Sequence, residues 1–107
     1  SEPWFSLIKL GLKTCEGRLN KGDFEKMKRE DEIIFTNNSL GFKRSIRVII
    51  TSIKKYKTFE EYLSNETLKK CLPGIHNMSE GLKVYYKYFA KKDEQMYGIS
   101  AISVKIV

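Results

Sequence analysis

Residues 42–53, FKRSIRVIITSI, constrain the fold more than any other stretch of the chain. Their β-branched side chains fit a half-buried pleated surface. Ile46, Val48 and Ile50 alternate onto one face, and Ile49 and Ile53 onto the other, so the segment predicts a strand with substantial burial on both sides. Such a strand requires partners. NNSLG, just before it, has the composition of a hairpin connection, and the preceding strand is expected over Asp31 to Thr36, with Ile33 and Phe35 on one face and Ile34 on the other. The final YGISAISVKIV returns to a strand pattern with Ile102, Val104 and Ile106 on one face, and a short extended stretch is expected from Cys15 to Leu19.

Helical signals separate these strands. In SEPWFSLIKLG, Pro3 suits a first helical position, Trp4, Leu7 and Ile8 form an apolar face, and Gly11 stops the turn. An irregular helical segment or turn is expected within residues 20–30. Thr58 and Glu61 match a capping box for TFEEYL, and Asn65 is positioned to begin a second helix that ends near Leu72 because Pro73 restricts its predecessor. After the PGIHNM loop, Ser79 is expected to cap a helix running to about Lys91. Its inward face would carry Leu82, Tyr85 and Phe89, and Lys83, Lys87 and Lys91 would form a basic stripe. Tyr85, Tyr86 and Tyr88 spread around this helix, so at least one should pack inward instead of joining a stacking platform.

The 107 residues, 41% of them hydrophobic, suffice for one core, so residues 1–107 are expected to form a single α+β domain, a curved sheet or small barrel with helices around it. Twenty Lys and Arg against thirteen Asp and Glu give a formal charge of +7, which favours phosphate-rich partners. Cys15 and Cys71 do not make a disulfide scaffold and no secretory leader is recognisable, so an intracellular, cytoplasmic or nuclear, location is expected. No apolar run approaches the roughly 20 residues of a transmembrane helix. One histidine and two distant cysteines form no local metal-ligand set, no glycine-rich phosphate loop indicates an ATPase, and no cofactor is called for.

The chemistry concentrates in GLKTCEGRL, residues 11–19. Lys13 and Arg18 supply positive donors, Glu16 supplies an acceptor, and Gly11 permits an unusual turn. This combination suits either an internal salt-bridge network or a site for mixed polar groups. Phosphate attraction alone does not require the carboxylate, whereas recognition of a base or nucleoside can use it.

GLKTCEGR resembles the ASCH-domain signature, in which glycine, lysine, glutamate and arginine recur at this spacing, within the PUA-like superfamily. PWFSLIKLG, DEIIF, LPGI followed by a helix, and the terminal strand extend the resemblance over nearly the whole chain. It implies a small PUA-like β-barrel with peripheral helices and a cleft bordered by the signature loop. It also implies a role in RNA recognition or metabolism, or, in some small members, hydrolysis of an acetylated cytidine nucleoside. Carried onto this sequence, Lys13, Glu16 and Arg18 are the expected recognition residues, Trp4 a wall of the cleft, and Gly11 the residue shaping the loop.

The first expectation is therefore an RNA- or nucleotide-binding domain. An amidohydrolase acting on an N4-acetylated cytidine-like nucleoside is the enzymatic alternative, with Lys13, Thr14, Glu16 and His76 as candidate catalytic groups. That hydrolytic branch is similar at Lys13 and Arg18 but carries threonine where Glu16 stands, and a glutamate near the segment from His76 to Glu80. A protein-interaction domain is the third class.

Overall fold

The computed structural model describes residues 2–107. Four antiparallel strands, β1 (Cys15–Leu19), β2 (Glu32–Asn37), β3 (Arg44–Tyr56) and β4 (Ile99–Ile106), form one sheet in the order β1-β4-β3-β2. The sheet curls into a half-barrel whose edges are β1 and β2. Around it lie α1 (Trp4–Lys9), α2 (Asp23–Lys26), α3 (Phe59–Glu66), α4 (Leu68–Cys71), α5 (Met78–Tyr88) and α6 (Lys91–Tyr97). The α+β class and the barrel-like sheet expected from the sequence are both present.

The central strands divide the interior into two apolar clusters. On one face of the sheet, Val48, Ile50, Ile102 and Val104 pack with Ile8 of α1; on the other, Cys15, Leu19, Ile99 and Ala101 pack against Phe59, Tyr62, Leu63 and Tyr85. β4 is thus buried on both faces, which explains the small residues interleaved with its isoleucines. A bulge between Ile50 and Ser52 corrects one expectation for β3. Strict alternation places Ile53 opposite Ile50, but an inserted residue reverses the facing of everything downstream. Ile50 pairs with Val104 and Ile53 with Ile102, so Ile53 joins the same cluster as Val48 and Ile50.

Other corrections lie at helix boundaries. In α1 the buried residues are Phe5 and Ile8, while Trp4 and Leu7 are half-buried and Pro3 is the N-cap. Thr58 caps α3 by accepting from the Glu61 amide, as expected, and Glu94 of α6 adds a second acceptor for the Phe59 amide at 2.7 Å. Asn65 does not start a helix. It lies inside α3 and donates to the Glu61 carbonyl one turn back, and the break falls at Thr67, whose φ is 82°. Asn77, not Ser79, caps α5 by accepting from the Glu80 amide at 2.9 Å, because a cap side chain reaches the third residue beyond it. The chain becomes extended at Phe89, so Lys91 belongs to α6 and the expected stripe of Lys83, Lys87 and Lys91 is split between two helices.

Candidate functional site

The site begins where α1 ends. Gly11 adopts φ +77°, a left-handed conformation that glycine takes without steric penalty, and the amides of Leu12 and Lys13 both return to the Leu7 carbonyl. The chain then enters β1 with the Lys13 side chain directed inward. Lys13 is only 2% exposed. Its ammonium donates to the Cys15 carbonyl at 2.7 Å and to the Cys71 carbonyl, while the Thr14 amide donates to the Lys70 carbonyl. Lys13 therefore fastens the start of β1 to α4.

Two residues along β1, Glu16 and Arg18 project from the same strand face. One Glu16 carboxylate oxygen stands 3.8 Å from the Lys13 ammonium and 3.7 Å from the Arg18 guanidinium. Among the described residues it accepts no hydrogen bond. Side-chain exposure rises from 2% at Lys13 through 10% at Glu16 to 36% at Arg18. The three groups thus run from a buried floor to an accessible rim, and Arg18 rests over the Phe24 ring at 5.8 Å.

These side chains open into a cavity of about 250 Å³ between α1, β2 and α5. Trp4, Phe5, Phe35, Tyr85, Tyr88 and Phe89 give it aromatic walls, and Thr36 adds a hydroxyl. Lys13 lies 6.0 Å from the Trp4 ring. The Tyr85 hydroxyl is 2.9 Å from that of Tyr62, and burial, reinforced by the Glu16 charge, pushes the Tyr85 phenol well above its ordinary pKa. Tyr85 is consequently a neutral wall group. Tyr86 points elsewhere, donating to Glu94, and Tyr88 is the exposed tyrosine at the mouth. The three tyrosines do not form a common stacking platform.

The remaining sequence candidates are placed differently. Gly11 shapes the turn but lines a second cavity of about 220 Å³ with Thr14, Val104 and Ile106. Thr14 is separated from the larger cavity, and His76 is exposed in the loop before α5 and lines neither cavity. Cys15 and Cys71 are buried free thiols whose mutual hydrogen bond, together with burial, pushes the Cys15 thiol up. Sequence reasoning missed Phe5, Phe35 and Tyr88 as cavity walls. Their aromatic character was visible, but their convergence depends on α1 and α5 meeting above the sheet.

A curled antiparallel sheet with peripheral helices and a cleft lined by Lys13, Glu16 and Arg18 defines a small α+β domain of PUA-like type. The chain belongs to the ASCH domain family, whose model matches residues 1–107. It is similar to the crystal structure of the hypothetical protein PH0355, with 33% identity, a TM-score of 0.89, and coverage of 100% of this chain and 94% of that one. It is also similar to the solution NMR structure of protein PF0455 from Pyrococcus furiosus, with 32% identity, a TM-score of 0.79, and coverage of 100% and 92%. No match to a curated protein was found. Among the described residues, no helix is long and apolar enough to cross a membrane.

Proposed function

We propose that this chain is an RNA- or nucleotide-binding domain that receives one unstacked base in the cavity between α1, β2 and α5. The observation that carries this reading is the Glu16 carboxylate, an acceptor bracketed by two cations at the floor of an aromatic cavity and hydrogen-bonded to neither. A purely structural ion-pair network would bring its members into hydrogen-bonding contact. An acceptor held open suits the exocyclic amino group of a base, while aromatic walls suit its faces.

The cavity volume supports a single base or nucleoside. At about 250 Å³ it lies just below the roughly 300 Å³ lower end of drug-sized pockets, too small for a stack of bases. Lys13 serves as a fixed charge that positions Glu16, and Arg18 at the rim is the group free to meet phosphate. RNA is favoured over DNA by the family. The hydrolytic alternative gains little from the placement of Thr14 and His76, since neither reaches the cavity.

The test is fluorescence anisotropy of a labelled cytidine-rich single-stranded RNA at low salt, with wild-type protein and the Trp4→Leu and Glu16→Leu variants. Saturable binding that weakens in both folded variants is the expected result. Absence of saturable binding by the wild type, or variants indistinguishable from it, overturns the reading. Hydrolysis of an N4-acetylated cytidine analogue to free cytidine and acetate would favour the enzymatic alternative instead.

A further inference from the structure

The face of the sheet that carries Glu16 and Arg18 continues beyond the cavity as a polar row. Arg18 on β1 and Lys55 on β3 both pair with Ser100 on β4, so the three residues lie side by side across the strands. Ser100 is fully buried, and its hydroxyl accepts from the Lys55 ammonium at 2.7 Å; Asn20, just past β1, accepts from the same ammonium at 2.8 Å. Two acceptors thus fix an exposed lysine, which leaves one N–H free. Fixing an ammonium through a buried hydroxyl on a neighbouring strand contributes nothing to the apolar clusters. It does lower the ordering cost of a contact made by that ammonium. Glu25 of α2 is the charged group facing Lys55, and desolvation lowers the lysine pKa while Glu25 raises it.

We infer that Lys55 is a second phosphate-binding residue, engaging the phosphate next to the one met by Arg18 as an RNA strand leaves the cavity along the Arg18–Ser100–Lys55 row. The inference rests on the proposed nucleotide-binding role of the cavity and specifies its ligand class: an oligonucleotide of at least two linked nucleotides, in preference to a free nucleoside. Two strand spacings, roughly 9.6 Å between the backbones of β1 and β3, separate the two cations, and their long side chains can close on consecutive phosphates of an extended strand. The chemistry is division of labour. The cavity reads one base, and the row follows the sugar-phosphate chain.

The experiment compares binding of a nucleoside monophosphate, a 5′-phosphorylated dinucleotide and a short single-stranded RNA to the wild type and to Lys55→Gln and Glu25→Gln, each across a salt series. Lys55→Gln is expected to weaken dinucleotide and RNA binding roughly tenfold while leaving the monophosphate unchanged. It should also flatten the dependence of log affinity on log salt by about 0.7, the value for one phosphate of a single strand. Glu25→Gln, which removes a repelling charge beside the row, should tighten RNA binding. A merely structural Lys55 would change stability without changing the salt slope. Wild-type RNA binding with the slope unaltered in Lys55→Gln overturns the second phosphate contact while leaving the cavity reading intact. Failure of the wild type to bind any of the three ligands overturns both.

Discussion

Lys13 holds its ammonium 3.8 Å from the Glu16 carboxylate while donating to the carbonyls of Cys15 and Cys71. The signature lysine is therefore a constructional charge. It fixes β1 to α4 and compensates the carboxylate beside it, and the lone pairs of Glu16 stay open toward the cavity. Arg18, on the exposed side of Glu16, keeps the freedom that Lys13 lacks.

Replacing Lys13 by methionine leaves two buried carbonyls without their donor and Glu16 without one of its cations. Equilibrium denaturation should record a loss of about 2–4 kcal/mol, the range for buried polar groups left unsatisfied beside a carboxylate that has lost one of its two cations. A loss under about 0.5 kcal/mol, typical of neutral surface changes, would contradict this structural role.

Glu16→Leu should alter discrimination more than attraction. In titrations with short cytidine and uridine oligomers, the wild type is expected to prefer cytidine, whose amino group donates to the carboxylate, by about 1–3 kcal/mol. The variant should bind both oligomers alike, without losing affinity for uridine, because a charge that repels phosphate has been removed. An unchanged preference would assign base reading to another group.

Gly17 allows β1 to lie against the Tyr62 ring. A Cβ at this position would stand 2.6 Å from the ring, so Gly17→Ala should destabilise the fold by about 1–3 kcal/mol through overpacking. Combining it with Tyr62→Leu should cost less than the sum of the two single losses, as measured in a double-mutant cycle. Strict additivity would locate the strain elsewhere.

Two half-buried phenols contribute to the loss of stability at alkaline pH. Burial, aided by the hydrogen bond to Glu66, pushes Tyr56 up to about 12; burial, aided by the hydrogen bond to Glu94, does the same for Tyr86. A raised folded-state pKa means that the unfolded chain releases these protons first. Their contribution is complete below the ordinary phenol value near pH 10 and is lost as pH rises from there through about 12. Thermal melts across this window should show a falling midpoint, with a shallower slope in the Tyr56→Phe, Tyr86→Phe double variant. Equal slopes would exclude these phenols as the source.

The strand segments were legible because alternation and β-branched content act locally. Thr58 was legible as a cap for the same reason, its acceptor lying three residues before the amide it serves. The facing of Ile53 was not legible, because a bulge leaves no composition signal and changes facing by one residue. The start of α4 and the cap of α5 were not legible, because several residues nearby, Asn65 and Ser79 among them, have cap chemistry, and the selection depended on how α3 to α5 pack.

For the site, the sequence alone determined the family pattern and the presence of Lys13, Glu16 and Arg18 within a short interval, because strand spacing projects residues 16 and 18 from one face. Only the tertiary structure decided their different duties. Lys13 is committed to backbone carbonyls, one of them 58 residues away; Glu16 is left open at a cavity floor; and Arg18 reaches the rim in register with Ser100 and Lys55. Burial and hydrogen-bond completion depend on which distant segments meet, and local spacing carries no record of that meeting.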